Sequence, residues 1–113
     1  MPTATYVQAG DQIDYTPGAA VAAGDVVVLE DLIGVAKQPI AASALGALAV
    51  AGVFDFPKAT GGGSGIAAGA TVYWDEGDQQ AKTDSETGAN KLIGKTVAAA
   101  GDNDTTVRVR MSQ

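Results

Sequence analysis

ANKLIGKT at 89–96 is the string in this chain that comes nearest to a chemical motif. It fits a relaxed phosphate-binding loop in which Ala89 stands where the first glycine belongs and Lys95 and Thr96 close the pattern. Such a loop follows a buried strand, cradles phosphate with glycine-rich backbone N–H groups and opens a helix. Here Leu92 and Ile93 fill the would-be loop, and VAAAGDND leaves less than three turns of helix before the next turn. The string therefore reads as a strand with Lys95 pointing outward, and a nucleotide-binding enzyme is not expected.

Carboxylates gather in three places: Asp75-Glu76-Gly77-Asp78, Asp84 with Glu86, and Asp102-Asn103-Asp104. Paired carboxylates can run glycoside hydrolysis, or bind calcium when enough oxygens converge. Each group falls where a turn is expected, Asp, Asn and Gly being ordinary turn residues, and no full calcium-loop spacing with a terminal Glu is present. The chain has no histidine and no cysteine. It thus lacks the commonest general base, the commonest transition-metal ligand and any thiolate nucleophile or disulfide. Net charge is −6, and five acids pass before the first cation, Lys37. A chain that neutralises phosphates would cluster Lys and Arg, so no nucleic-acid partner is expected. No catalytic residue, cofactor or metal is assigned.

The elements behind these residues are short strands. A segment occurs twice: VAAGDVVVLED at 21–31 returns as IAAGATVYWDE at 66–76, and LIG at 32–34 returns at 92–94. Each copy reads as a glycine turn feeding a strand. The offsets are 45 and 60, so the pattern is no solenoid of fixed period. Strands are expected at 12–16, 25–29, 32–38, 71–75, 79–83, 91–97 and 105–111, with Glu30-Asp31 as a two-residue hairpin turn. Residues 46–56 read as one further strand with a bulge or kink at Gly52, since Leu48, Val50, Phe54 and Phe56 fall at even positions. GGGSG at 61–65 reads as a flexible loop. On the strand 71–75, Trp74 shares the core face with Val72, and Tyr73 faces outward or toward a partner.

The expected fold is mainly β: a small, compact, barrel- or sandwich-like single domain over 11–113, preceded by an extended N-terminal arm over 1–10. Alanine (22) and glycine (15) outnumber the six aromatic residues, so large core side chains are scarce. A core of that kind commonly gains burial by oligomerising. The opening MPTATYVQAG shows no signal-peptide pattern, and the longest apolar stretch, 40–54, is mostly Ala and Gly and too short for a membrane span. No membrane partner is expected.

The strings AGDQIDYTPGAAVAAGDVVVLEDLIGVAKQPIAA, GALAVAGVFDFPKA, AAGATVYWDE, LIGKTVAAA and TVRVRM resemble the tailed-bacteriophage capsid cement family, small head decoration proteins. The similarity runs from about Tyr6 to Met111 as many short matches with no catalytic signature. It implies a structural virion protein on the outer capsid surface, made in the host cytoplasm. It also implies a homotrimer that clamps neighbouring major capsid subunits at local three-fold positions. With that partner in view, the arm PTATYVQA at 2–9 is either a loose tail or a strand-pairing segment that meets the capsid through Thr3, Thr5, Tyr6 and Val7. Tyr73 is the candidate interface aromatic. The rival readings are a β-domain binding a carbohydrate or other ligand, for which Tyr73 is the only obvious platform, and a nucleotide-binding protein resting on Lys95 and Thr96.

Overall fold

A computed structural model of the chain describes residues 4, 5 and 10–113. Alternating β-branched and polar residues, broken by Asp-, Gly- and Pro-bearing turns, form nine strands among the described residues, in two antiparallel sheets. The strands are β1 (Gln12–Tyr15), β2 (Val26–Leu29), β3 (Leu32–Val35), β4 (Gly46–Ala49), β5 (Gly52–Pro57), β6 (Thr71–Asp75), β7 (Gln80–Lys82), β8 (Lys91–Thr96) and β9 (Thr106–Met111). One sheet has the order β1-β4-β3-β2 and the other β5-β9-β8-β6-β7. One short 3₁₀ turn, Glu86–Gly88, is the only helical element among the described residues.

The repeated strings fold alike. Val21 bridges Ile40 and the Gly24 N–H donates to the Ala36 carbonyl; Ile66 bridges Ala100 and the Gly69 N–H donates to the Thr96 carbonyl. Gly24 and Gly69 both take positive φ, +90° and +81°, which is why the AAG turn ends in glycine each time. Val27 then faces Gly34 in one sheet as Val72 faces Gly94 in the other. The correspondence extends outward, β4 matching β9 and β1 matching β5. The chain is two copies of one four-stranded Greek key. In the second copy, residues 77–91 are inserted between the two strands of the pair. Their length is the difference between the offsets 45 and 60, and they carry β7 and the 3₁₀ turn.

Residues 46–56 are not one strand. β4 ends at Ala49 and β5 begins at Gly52, in the other sheet. Gly52, at φ +124°, permits the corner, so the predicted kink is the junction between the two halves. The even-position periodicity survives the corner but serves two clusters: Leu48 is buried on the outside of the first sheet, Phe56 between the sheets. GGGSG is likewise less free than its composition suggests. The Gly61 and Gly65 N–H groups and the Ser64 hydroxyl all donate to Asp102.

The main core lies between the sheets, where Phe56, Val72, Trp74, Ile93, Val107, Val109 and Met111 meet Ile33 and Val35. Trp74 is edge-on to Phe56 at 5.9 Å. A smaller cluster of Ala36, Ile40 and Leu48 covers the far side of the first sheet, with Ile13, Tyr15, Val21, Val27 and Leu29 half-buried around it. Two polar devices fasten the fold, Gln113 between the two halves and Lys58 within the second. Gln113 places its side-chain amide against Ile33, accepting from its N–H at 2.6 Å and donating to its carbonyl at 2.7 Å. Lys58 is buried, and its ammonium donates to the carbonyls of Ala59, Gly101 and Asp104 at 2.7–3.0 Å.

Candidate functional site

The phosphate-loop reading fails on geometry. Residues Lys91–Thr96 are strand, Lys95 is exposed, and Thr96 is buried. The Thr96 hydroxyl donates to the Ala67 carbonyl at 2.6 Å and accepts from the Ala70 N–H at 3.0 Å, so it fastens the AAG turn. In these groups Asp75, Asp84 and Asp104 cap local turns, as expected, and Asp102 ties one loop to another. Asp75 accepts from the Asp78 N–H, Asp84 from the Glu86 N–H, Asp102 from the Gly65 N–H and Asp104 from the Gly101 N–H. Among the described residues no three acidic side chains converge in a way that could hold a metal ion.

What remains is a surface. The five-stranded sheet packs one face on the core and leaves the other open. Cross-strand pairing sets Thr71, Lys95, Arg110 and Val53 in one row across four strands. A second row holds Val97, Arg108 and Asp55. Tyr73 lies on the same face, half-buried between its cross-strand partners Leu92 and Lys82. Leu92 and Lys95 are three apart and would point to opposite faces of a regular strand. The register shift at Val72/Tyr73 leaves Ile93 without a pairing partner in β6, and this bulge turns Leu92 outward beside Lys95.

This face mixes exposed apolar side chains with charged ones. Val53, Val97 and Leu92 are 55%, 48% and 36% exposed, three of the four large apolar residues that the described chain leaves in the open. Tyrosine and arginine, enriched where proteins meet, lie among them. The Arg108 guanidinium holds Asp55 through two bonds of 3.0 and 3.2 Å, which keeps the carboxyl below the usual carboxylate range and raises the arginine. Lys82 binds Asp75 at 2.9 Å and also Asp78; these bonds hold the ammonium charged beyond its ordinary range and lower Asp75. Lys91 reaches Asp31 at 3.0 Å.

Lys95 and Arg110 stand apart. They are direct cross-strand neighbours, both exposed, and neither has an acidic partner among the described residues. Between them opens a cleft of about 220 Å³ lined by Thr71, Leu92, Gly94, Lys95, Arg110 and Ser112. Gly94 forms its floor, where β8 and β9 approach too closely for any side chain.

Sequence reasoning therefore placed Tyr73 and Lys95 on the correct faces but did not bring them together. The only available signal was the outward alternation of Arg108 and Arg110 in TTVRVRM. Of the arm residues, Thr5 is exposed. Thr3, Tyr6 and Val7 lie outside the described residues. A lone, half-buried Tyr73 is no open aromatic platform for a sugar. No helix among the described residues is long and apolar enough to cross a membrane.

A family model described as phage cement protein matches residues 7–111. No curated protein matches the chain, and no solved structure matches it.

Proposed function

The chain belongs to the phage cement protein family, whose members are structural parts of the virion, and from that premise we propose how it cements. The protein binds the outer surface of the assembled head as a homotrimer and bridges neighbouring major capsid subunits. One observation carries this reading: a family match over residues 7–111 in a chain whose β-sandwich leaves uncovered a sheet face that bears Tyr73, two arginines and three exposed apolar side chains. Three linked copies favour attachment because association costs several kcal/mol of lost freedom, which three footprints share.

In this scheme the two kinds of contact use different parts of the chain. Copy meets copy through the open face around Tyr73, while the arm, through Thr3, Thr5, Tyr6 and Val7, adds main-chain hydrogen bonds to a strand edge of the capsid subunit. Cryo-EM of heads decorated with the purified protein tests the scheme. Density for three joined copies at each site is expected; isolated monomers would refute it. Deleting residues 2–8 is expected to leave melting nearly unchanged and weaken head binding about tenfold or more, the loss of several ordered main-chain contacts. Equal binding by the truncated protein would remove the arm from the mechanism.

A further inference from the structure

We propose that the cleft between Lys95 and Arg110 receives a glutamate carboxylate from the turn region 76–88 of a neighbouring copy of this chain. The inference rests on the homotrimer reading and gives that contact its polar anchor.

Charge is the first argument. Most basic side chains of the chain are already engaged: Lys58 by carbonyls, Lys82, Lys91 and Arg108 by carboxylates. Lys37, Lys95 and Arg110 are not, and of these Lys95 and Arg110 sit side by side. The chain carries −6 in total, so everything outside this pair carries −8. A second copy is therefore a partner of complementary charge for this patch, provided that the cationic face of one meets an acidic region of the next.

Symmetry is the second. A three-fold ring is built from heterologous contacts, in which two different patches of each copy meet. The cleft supplies one patch. Its walls fit one carboxylate on a short aliphatic stem: an arginine fork and a lysine for the charge, the Thr71 and Ser112 hydroxyls as further donors, and Leu92 for the methylenes.

The other patch is acidic. Of the ten aspartates, Asp25, Asp31, Asp55, Asp75, Asp78, Asp84, Asp102 and Asp104 accept bonds within the chain through their carboxylates, and the other two, Asp11 and Asp14, lie just before and on β1, at the edge of the other sheet. All three glutamates, Glu30, Glu76 and Glu86, are exposed at turns, and no carboxylate bond ties them down. Two of these, Glu76 and Glu86, flank and occupy the segment that the second Greek key has and the first lacks. That excursion breaks the equivalence of the two halves and gives the chain an acidic projection at one sheet edge.

Sedimentation velocity on four purified full-length proteins tests the proposal. The wild type is expected to associate at low salt and to dissociate as salt rises. Lys95→Glu with Arg110→Glu is expected to weaken association tenfold or more while far-UV circular dichroism stays unchanged, and Glu76→Lys with Glu86→Lys to do the same. Combining all four substitutions reverses both patches at constant net charge and is expected to restore association. Should the cleft variant lose its fold, Lys95→Gln with Arg110→Gln carries the same expectation. A wild type that stays monomeric at low salt, a cleft variant that associates like the wild type, or a fourfold variant that stays apart would each overturn the proposal. Head-bound trimers formed by the cleft variant would sink this contact alone; head-bound monomers of the wild type would sink the trimer itself.

Discussion

Gly34 and Gly94 occupy the same place in the two Greek keys, each opposite a valine, yet their replacement by alanine should differ severalfold in cost. A Cβ on Gly34 would meet the Leu48 side chain, at 2.8 Å from Cβ and 3.0 Å from Cδ1. Leu48 Cδ1 can swing aside but its Cβ cannot, so β3 and β4 must give by a few tenths of an ångström, at a cost of about 2–3 kcal/mol for local overpacking. Replacing a strand glycine recovers roughly 0.5–1 kcal/mol through the unfolded chain, so Gly34→Ala should cost about 1–2 kcal/mol. A Cβ on Gly94 would meet backbone: the Arg110 carbonyl oxygen at 2.0 Å and the Ser112 nitrogen at 2.8 Å. No rotamer relieves that. β8 and β9 must part by roughly 1 Å, enough to break ladder bonds of a sheet spaced at about 4.8 Å. Two lost bonds at about 1 kcal/mol each, plus repacking of Ile93 and Met111, bring the cost to about 3–5 kcal/mol. Urea denaturation reads the difference as a shift in midpoint at constant slope. A Gly34→Ala cost equal to or above that of Gly94→Ala would refute the steric reasoning.

Three further outcomes are expected. Lys58→Met removes the donor shared by three carbonyls and should destabilise by about 2–4 kcal/mol in denaturant melts, with 59–66 the first segment to exchange amide hydrogens. Thr96→Val should cost about 1–3 kcal/mol by orphaning the Ala67 carbonyl and the Ala70 N–H, whereas Lys95→Ala should stay within about 0.5 kcal/mol in the same melts. Asp55 and Asp75 have lowered pKa values in the folded state, so the stability they lend is complete above the unfolded aspartate value, near 3.9, and drains as pH falls through the folded values. Melting curves should be flat above about pH 5 and fall below pH 4, with a shallower fall in Asp75→Asn.

Much of the fold was legible because the signals are local. Turn residues and alternation mark β1, β6 and β9, and the parity of Val72 and Trp74 fixes which side of β6 is core. The corner at Gly52 was not, because a kinked strand and two strands in different sheets share one periodicity. The Ile93 bulge was equally hidden: it depends on β6, some twenty residues away, and it alone brings Leu92 and Lys95 to one face. Lys58 illustrates a third limit. Its charge argues for exposure, and only the convergence of carbonyls from 59 and 101–104 makes burial tolerable. The Lys95–Arg110 cleft, a product of long-range register, could not be read from either residue alone.

The Greek-key order has a consequence for how the chain reaches this state. β9 lies between β5 and β8, in the middle of its sheet, although residues 58–105 separate it from β5. Until β9 arrives, β5 has no strand beside it and β8 presents a bare edge, the kind that recruits other chains. The first half meets the same condition sooner, since β4 joins β1 and β3 by Ala49. Synthesis from the amino terminus therefore closes one sheet early and leaves its inner face waiting for the other. Pairing across so long a loop makes the insertion of β9 the expected slow step in folding, with the bare β8 edge exposed to association until it is complete.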